Sequence, residues 1–342
     1  MLGRLRDSFH DWFYRPRLDW IQVEINRECN ARCIYCPSAG TNTNWPEQRM
    51  PIETFEKILP TLAKSAQHSH WHAPMIHLQG WGEPLLHPDF FAMVEMTRRA
   101  GCTVGTTTNA TLVGEATATR LVESGIDLVS FSLAGIDENN DRIRRGTSMK
   151  RVLDAIDTVN RIKHERASAT PSIHIAYMLL KSGIENIERI PDVFAGRGIE
   201  QIVVSTLFVV PDSSIGDETV LPANDQEFQT LERRLARVAE TAKTHGIELH
   251  YRIPRPNRSG SLCAEDVSRT IVVTVDGEVT PCMLNRFHAE NDPRPNPNPF
   301  RFGNLAQRSL AGIWWSDEYL RFRRSFWDAN PPPRCLACQK LG

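Results

Sequence analysis

Six strand-like segments alternate with helix-like segments between residues 20 and 206. The strand-like segments are 20–26, 75–79, 103–108, 128–133, 172–179 and 201–206. The helix-like segments between them are 52–67, 89–100, 116–124, 151–166 and 187–197. Repeated strand–helix units joined by short loops predict a parallel sheet with right-handed crossovers. The chain is therefore expected to be an α/β protein.

The predicted strands carry an apolar and a polar set of side chains at alternating positions. The apolar set is Val23, Ile25, Ile76, Leu78, Val129, Phe131, Ile173 and Ile175, and the polar set is Glu24, Asn26, His77, Gln79, Thr106, Thr108, Ser130, Ser132 and His174. Parallel strands that are covered on both faces usually read as continuous apolar runs. The polar set therefore indicates an inner surface that is wetted or holds a ligand. A hydrogen-bond network with no substrate role would give the same pattern.

Three cysteines, Cys29, Cys33 and Cys36, follow the first predicted strand at CxxxCxxC spacing. A 4Fe–4S cluster normally takes four thiolates, and the next cysteine is only reached at position 102. Three ligands from one loop would leave one iron with an open position that can bind a substrate. A zinc loop usually has CxxC pairs with a fourth ligand nearby, and a ferredoxin-type cluster needs a fourth cysteine close by. Both alternatives fit the spacing less well.

The CxxxCxxC loop, with the aromatic residue Tyr35 just before its last cysteine, resembles the signature of the radical S-adenosylmethionine (SAM) superfamily. The resemblance implies a partial (β/α)6 TIM-type barrel, a 4Fe–4S cluster on the three cysteines, and SAM chelated to the open iron. It also implies reductive cleavage of SAM to a 5′-deoxyadenosyl radical, with a low-potential electron donor such as a flavodoxin or a ferredoxin. Tyr35 is assigned to the cofactor site on the same resemblance.

The turn after the second predicted strand, Gly80 to Pro84, reads GWGEP. It resembles the GGE element of the family, in which the backbone and a carboxylate hold the amino group of SAM. A cationic amine needs an acceptor, and Glu83 supplies one. Because Trp81 stands where the commoner form has glycine, the resemblance rests on Gly82 and Glu83.

Three more cofactor residues are assigned by the same resemblance. Asn109 ends the third predicted strand and Ser132 ends the fourth, where Ser132 would meet the SAM ribose. Arg144 would meet the SAM carboxylate, an anion that suits a planar guanidinium. A solvated loop charge is the alternative for Arg144, since Arg142 and Arg145 are close to it in sequence.

Four cysteines near the C-terminus form a second group. Cys263 precedes a predicted hairpin at 268–282, Cys282 ends it, and Cys335 and Cys338 form a CxxC. Asp-Gly at the hairpin turn is a strong local signal. The arrangement resembles the twitch domain, the shortened form of the SPASM domain, and implies one auxiliary 4Fe–4S cluster. A four-cysteine zinc ribbon is the alternative, although zinc ribbons usually show two CxxC pairs.

The segments outside the barrel give a four-part organisation. The predicted parts are an N-terminal helix at 1–19, the barrel at 20–223, a bridging helix and strand at 224–259, and the auxiliary-cluster domain at 260–342. Residues 1–17 predict a helix that closes the barrel, with membrane-surface attachment as the alternative. The Asn-Pro-rich segment 291–302 is either an insertion or a lid. The aromatic-rich helical run 310–327 is expected to be packing.

The composition excludes several classes of protein. The 342 residues are 41% hydrophobic and 24% charged with a net charge of −1, which is typical of a globular protein and gives no support to nucleic-acid binding. The sequence shows no membrane span and no signal peptide, so a cytoplasmic location is predicted. The eight cysteines are clustered in a way that favours metal binding over disulfides.

The resemblance predicts an enzyme that abstracts a hydrogen from its substrate. The first hypothesis is oxidative modification or cross-linking of a peptide or protein, as in a maturase. The alternative is oxidation of a small molecule such as a sugar or aminocyclitol, and a non-catalytic iron–sulfur protein is a remote third. Only 19 residues precede the first predicted strand, which argues against a built-in leader-peptide module. Cys102, the one thiol outside both groups, is expected at the amino-terminal rim of the barrel, away from the site.

Overall fold

The computed structural model describes residues 18–39, 47–62, 74–207, 213–256, 262–286 and 300–341. Its strands are β1 Trp20–Val23, β2 Arg32–Cys33, β3 Met75–Leu78, β4 Thr103–Thr108, β5 Leu128–Leu133, β6 Arg144–Arg145, β7 Ser172–Leu179, β8 Gln201–Thr206, β9 Glu248–Tyr251, β10 Thr270–Val273, β11 Glu278–Thr280 and β12 Gly303–Asn304. Ten of them form one sheet in the order β12-β11-β10-β1-β3-β4-β5-β7-β8-β9, while β2 and β6 form a separate pair.

The sheet is parallel from β10 through to β9. All six predicted strands are present in it, so the α/β class and the strand–helix pattern are confirmed. Within the described ranges β9 and β12 are the two outer strands, and the sheet does not close on itself. The bridging strand predicted after the long helix is β9, which adds a further parallel strand beside β8.

The described ranges contain ten α-helices. They are α1 Ile52–Glu56, α2 Phe90–Arg99, α3 Glu115–Glu123, α4 Glu138–Ile143, α5 Met149–Glu165, α6 Ile190–Phe194, α7 Asp225–Thr244, α8 Leu310–Trp314, α9 Asp317–Trp327 and α10 Pro333–Leu336. The helix predicted over 187–197 is shortened to α6, because Pro191 fits only the first helical turn. The run 310–327 is two helices, because Ser316 caps a new helix by accepting a hydrogen bond from the Tyr319 N–H.

The C-terminal hairpin, β10 and β11, continues the main sheet. β10 lies parallel to β1, in register from Trp20 with Thr270 to Val23 with Val273. Ile271 and Val273 are buried together with the apolar side chains of β1. The sequence placed this hairpin in a separate region, because a pairing between strands some 250 residues apart leaves no local signal.

One part of the polar pattern was assigned to the wrong face. Parallel partners point to the same side of a sheet, and Thr106 is paired with the buried apolar residue Leu78. Thr106 and Thr108 therefore face away from the inner surface, and Thr107 between them faces inward. Residues 106–108 are all threonine, so apolar and polar side chains do not alternate there. The sequence therefore could not show which of the three faces the inner surface.

Three further predictions concern Cys102, membrane-spanning helices and the segments 1–17 and 291–302. Cys102 is 2% exposed and packs in the hydrophobic core just before the amino end of β4, as expected. None of the helices in the described ranges is long and apolar enough to cross a membrane. The helix predicted over 1–17 and most of the segment 291–302 lie outside the described residues.

Candidate active site

The three-cysteine loop leaves the carboxyl end of β1 and is held by a short antiparallel ladder. In that ladder Cys33 of β2 is paired with Arg144 of β6. The Cys36 N–H donates to the Cys33 carbonyl at 2.9 Å, which turns the loop back on itself. Burial raises the pKa of the Cys29 thiol, and it raises the pKa of Cys36 to about 11. A bound metal centre would stabilise the thiolate form of these cysteines.

Glu83 lies fully buried beside this loop, at 2% exposure. One carboxylate oxygen accepts from the Thr108 hydroxyl at 2.7 Å and from the Leu85 N–H at 3.2 Å. The other accepts from the Asn109 N–H at 2.7 Å. Burial raises the pKa of Glu83, and the hydrogen bonds from Asn109 and Thr108 oppose this effect. The carboxylate is therefore rigidly held at the carboxyl ends of β3 and β4.

Gly82 allows the GWGEP turn to lie against the cysteine loop. A Cβ at this position would lie 2.5 Å from the carbonyl oxygens of Asn26 and Glu28, so no larger residue fits without moving backbone. Two backbone hydrogen bonds, Gly82 N–H to the Asn26 carbonyl and Glu83 N–H to the Glu28 carbonyl, join the two segments. Trp81, the departure from the commoner glycine, lines the adjacent cavity.

Arg144 is buried, with 5% exposure, so it is not a solvated loop charge. Its guanidinium donates to the Tyr35 hydroxyl, while its Nε has no hydrogen-bond partner. Arg142 and Arg145 are exposed instead. A buried guanidinium with an unused donor fits an anionic ligand.

All the predicted cofactor residues meet in one cavity of about 380 Å³ at the carboxyl ends of the parallel strands. Its lining includes the predicted cofactor residues and cluster ligands Cys29, Cys33, Cys36, Tyr35, Gly82, Glu83, Asn109, Ser132 and Arg144. The Asn109 amide also donates to the Asn30 side chain at 2.9 Å, which fixes it at the edge of the cysteine loop. This is the end of a parallel barrel at which active sites are found.

One side of the cavity is lined by the uncharged side chains of Gln22, Gln79 and Thr107, and the buried His77 contacts Thr107. The His77 Nε2 lies 2.9 Å from the Thr107 hydroxyl, which donates to the Gln79 Oε1 at 3.0 Å. Gln22 joins this group by donating to the Gln79 carbonyl at 3.4 Å. Burial lowers the pKa of His77 to about 4, so its imidazole is neutral at ordinary pH. Sequence reasoning missed Gln22 and Thr107, although Gln22 lies two residues before Glu24 on the same alternating face.

The four C-terminal cysteines line a second, smaller cavity. A backbone bridge between Cys263 and Leu341 brings the end of the chain beside the hairpin. Burial raises the pKa of Cys263 to about 12, and burial together with the neighbouring thiols raises the pKa of Cys282 strongly. In the described ranges no three His, Cys, Asp or Glu side chains are placed to hold a single metal ion. Four thiols around one cavity are the donor set that a 4Fe–4S cluster takes.

Comparison with known proteins defines the class. Residues 23–193 match the radical SAM superfamily, and residues 263–339 match the SPASM iron–sulfur cluster-binding domain. The chain therefore belongs to the radical SAM superfamily. SAM and 4Fe–4S clusters are its cofactors, as the two matching families imply.

Two sequence relatives cover most of the chain. A tungsten-containing aldehyde ferredoxin oxidoreductase cofactor-modifying protein from Pyrococcus furiosus is 26% identical over 313 residues, which are 90% of this chain and 83% of the relative. A probable GTP 3′,8-cyclase from Thermoplasma volcanium is 23% identical over 312 residues, covering 85% of this chain and 89% of the relative.

The fold is shared with Streptococcus suis SuiB. The SAM-bound structure of SuiB is 15% identical in sequence and matches with a TM-score of 0.67. The match covers 94% of this chain and 72% of the SuiB chain. SuiB has also been solved with its precursor peptide SuiA, and that structure gives the same TM-score of 0.67. At this identity the likeness establishes the fold alone.

Proposed function

We propose that this radical SAM enzyme is a maturase that oxidatively modifies or cross-links a peptide or protein. When bound, a 4Fe–4S cluster would supply the electron for reductive cleavage of SAM, and the resulting radical would remove a hydrogen atom from the substrate. A flavodoxin or a ferredoxin would be the low-potential electron donor. The uncharged inner wall of the cavity supports a neutral substrate, of which a peptide is the first candidate.

Residues of the cysteine loop would bind the cluster, and residues around the loop would bind SAM. Cys29, Cys33 and Cys36 would hold the SAM-binding cluster. The Glu83 carboxylate, fixed by three hydrogen bonds, would accept the SAM ammonium group. The buried Arg144, with its unpartnered Nε, would meet the SAM carboxylate.

Three other cofactor residues would complete the SAM site. Tyr35 would hold the Arg144 guanidinium, to which its hydroxyl is bonded. Asn109 and Ser132, at the ends of β4 and β5, would meet the ribose side of SAM. Cys263, Cys282, Cys335 and Cys338 would hold the auxiliary cluster of the domain predicted at 260–342.

The charge of the cavity wall supports a peptide substrate. Among the described residues that line the cavity, the cations are Arg144 and Lys340. Arg144 is bonded to Tyr35, and Lys340 is paired with Glu265. A nucleoside triphosphate would need several cationic partners. A peptide group is neutral and needs one donor and one acceptor, which Gln22, Gln79 and Thr107 can supply.

The same uncharged wall also suits the hydroxyl groups of a neutral small molecule. A sugar or an aminocyclitol is therefore the second candidate substrate class. The two classes differ in size and not in the hydrogen bonds that they need, so the test must separate substrates by size.

The first test concerns the radical chemistry itself. Changing Cys29, Cys33 and Cys36 together to alanine should remove about half of roughly eight reconstituted irons and abolish 5′-deoxyadenosine formation. Cys102→Ala, which removes a thiol outside both groups, is the matched control and should keep full iron and full SAM cleavage. Release of 5′-deoxyadenosine by the triple variant would contradict the proposed cluster site.

The second test identifies the substrate class. Cells of the source organism grown in deuterated medium would be separated into a protein and peptide pool and a low-mass pool. Because the radical takes a hydrogen atom from the substrate, 5′-deoxyadenosine should gain one deuterium from the protein and peptide pool. The triple variant serves as the blank. Deuterium that comes only from the low-mass pool would favour the small-molecule alternative.

A further inference from the structure

The cavity that contains the predicted SAM residues and the cavity of the four C-terminal cysteines share one wall. Glu265, Leu284 and Lys340 line both cavities. The wall is assembled where the end of the chain returns to Cys263, and the Ala264 N–H donates to the Lys340 carbonyl at 2.7 Å. We name these three residues the partition.

The partition contains an ion pair. The Lys340 Nζ lies 2.9 Å from a carboxylate oxygen of Glu265, and the two side chains are 26% and 35% exposed. Glu265 lies two residues after Cys263, and Lys340 lies two residues after Cys338. A positive and a negative charge therefore stand at the same boundary, each next to a predicted cluster ligand.

The two charges act on the cluster site in opposite directions. Lys340 would stabilise negative charge on a cluster bound by Cys263 and Cys338, and Glu265, which lines the same cavity, would oppose it. Net charge and hydrogen bonds around the sulfur atoms are among the factors that set cluster potentials.

We propose that the Glu265–Lys340 pair sets the reduction potential of the auxiliary cluster from the side that faces the substrate. Reduction adds one negative charge to the cluster, so Lys340 favours the reduced form and Glu265 opposes it. The inference rests on the proposed function, because it requires a 4Fe–4S cluster on the four C-terminal cysteines. Lys340 would therefore make this cluster a better acceptor for an electron from the substrate cavity, and Glu265 would make it a poorer one.

The test measures the midpoint potential of the auxiliary cluster by redox titration followed by electron paramagnetic resonance. The Cys29, Cys33 and Cys36 triple alanine variant is the background, since the auxiliary cluster is then the only one expected. Lys340→Gln should lower the midpoint potential and Glu265→Gln should raise it. Each should change the ratio of reduced to oxidised cluster at fixed potential at least threefold, roughly 28 mV at 59 mV per tenfold change.

Two controls separate the local charges from general effects. Arg321→Gln removes a positive charge from the exposed face of α9 in the same region and should leave the potential unchanged. Lys340→Arg keeps the charge and should keep the wild-type potential. The Glu265→Gln, Lys340→Gln double variant should fall between the two single variants.

The outcomes distinguish the inference from the proposed function. If the triple variant holds no iron–sulfur cluster, the auxiliary-cluster assignment fails and the inference fails with it. If the cluster is present and both single variants match Arg321→Gln, or both shift in the same direction, the inference alone is wrong. If Lys340→Gln does not bind iron, Glu265→Gln decides by itself, because a potential that does not rise overturns the proposal.

Discussion

Glu83 shows how a short local motif can locate a candidate binding group. The GWGEP turn indicated the carboxylate, and the structure holds it with one side-chain and two backbone hydrogen bonds. Two of the donors, Thr108 and Asn109, come from the end of β4, so the sequence of the turn alone could not reveal them. The sequence also leaves the burial of Arg144 undecided, because its contact with Tyr35 joins residues 109 positions apart.

Replacing Glu83 with glutamine should weaken SAM binding. The substitution keeps the size of the side chain and removes the charge that would face the SAM ammonium. Since a hydrogen bond to a charged group contributes about 1.5–3 kcal/mol, the Kd for SAM should rise roughly ten- to a hundredfold. Calorimetric titration of the reconstituted protein measures this. Glu240→Gln, on the exposed side of α7, is the matched control, and an unchanged Kd for Glu83→Gln would remove Glu83 from the SAM site.

His77 should make the stability of the protein depend on pH. Burial lowers its pKa from 6.5 to about 4, so between these values the unfolded chain binds a proton that the folded protein does not. Stability is therefore lost as the pH falls through this window, by at most about 1.4 kcal/mol per pH unit. His77→Gln should lack this part of the pH dependence.

Urea unfolding between about pH 7 and pH 5 would measure the difference. His164→Gln, which changes an exposed histidine of α5, controls for the loss of an imidazole as such. If wild type and His77→Gln lose stability in parallel over this range, His77 is not the group responsible.

Among the secondary-structure elements, the C-terminal hairpin has a place in the main sheet that the sequence did not predict. Local pattern gave the hairpin turn and both of its strands, but the pairing of β10 with β1 depends on two apolar strands from opposite ends of the sequence. β1 therefore lies inside the sheet. Without the hairpin it would be an exposed edge with Ile21 and Val23 beside it.

A chain that ends after residue 256 should therefore be prone to aggregate, because a long unpaired apolar edge is a template for other strands. Changing Cys263, Cys282, Cys335 and Cys338 together to alanine is the control, since it removes the auxiliary ligands and keeps the hairpin. Light scattering and size-exclusion chromatography compare the two. A truncated chain that stays monomeric, with the unfolding temperature of the cysteine variant, would show that the hairpin does not stabilise the sheet.

At the scale of the whole molecule, the two ends of the sheet have different roles. The predicted cluster cysteines and the predicted cofactor residues meet at the carboxyl ends of the strands, and Cys102 lies in the core just before the amino end of β4. An epimerase needs a hydrogen donor, commonly a thiol, next to its substrate. Cys102 is not among the residues that line the cavity.

Cys102→Ala should therefore keep activity, and the product should be oxidised or cross-linked. Product mass after a single turnover in deuterated water measures this, since oxidation removes two hydrogen atoms. Serine at the same position is the size-matched control for loss of packing. An unchanged skeleton that gains one solvent deuterium, and loses that gain in Cys102→Ala, would overturn both the placement and the reaction type.

The local sequence specifies the secondary-structure elements and the class of cofactor. The strand–helix alternation gave the parallel sheet, and the cysteine spacings and the GWGEP turn gave the cofactor class, because each signal lies within a few residues. Tertiary structure alone decided which face Thr107 occupies, that Gln22 joins the cavity wall, and that Glu265 and Lys340 form a wall between two cavities. These features depend on strand register and on contacts between distant segments, and such contacts are set by packing of the whole chain.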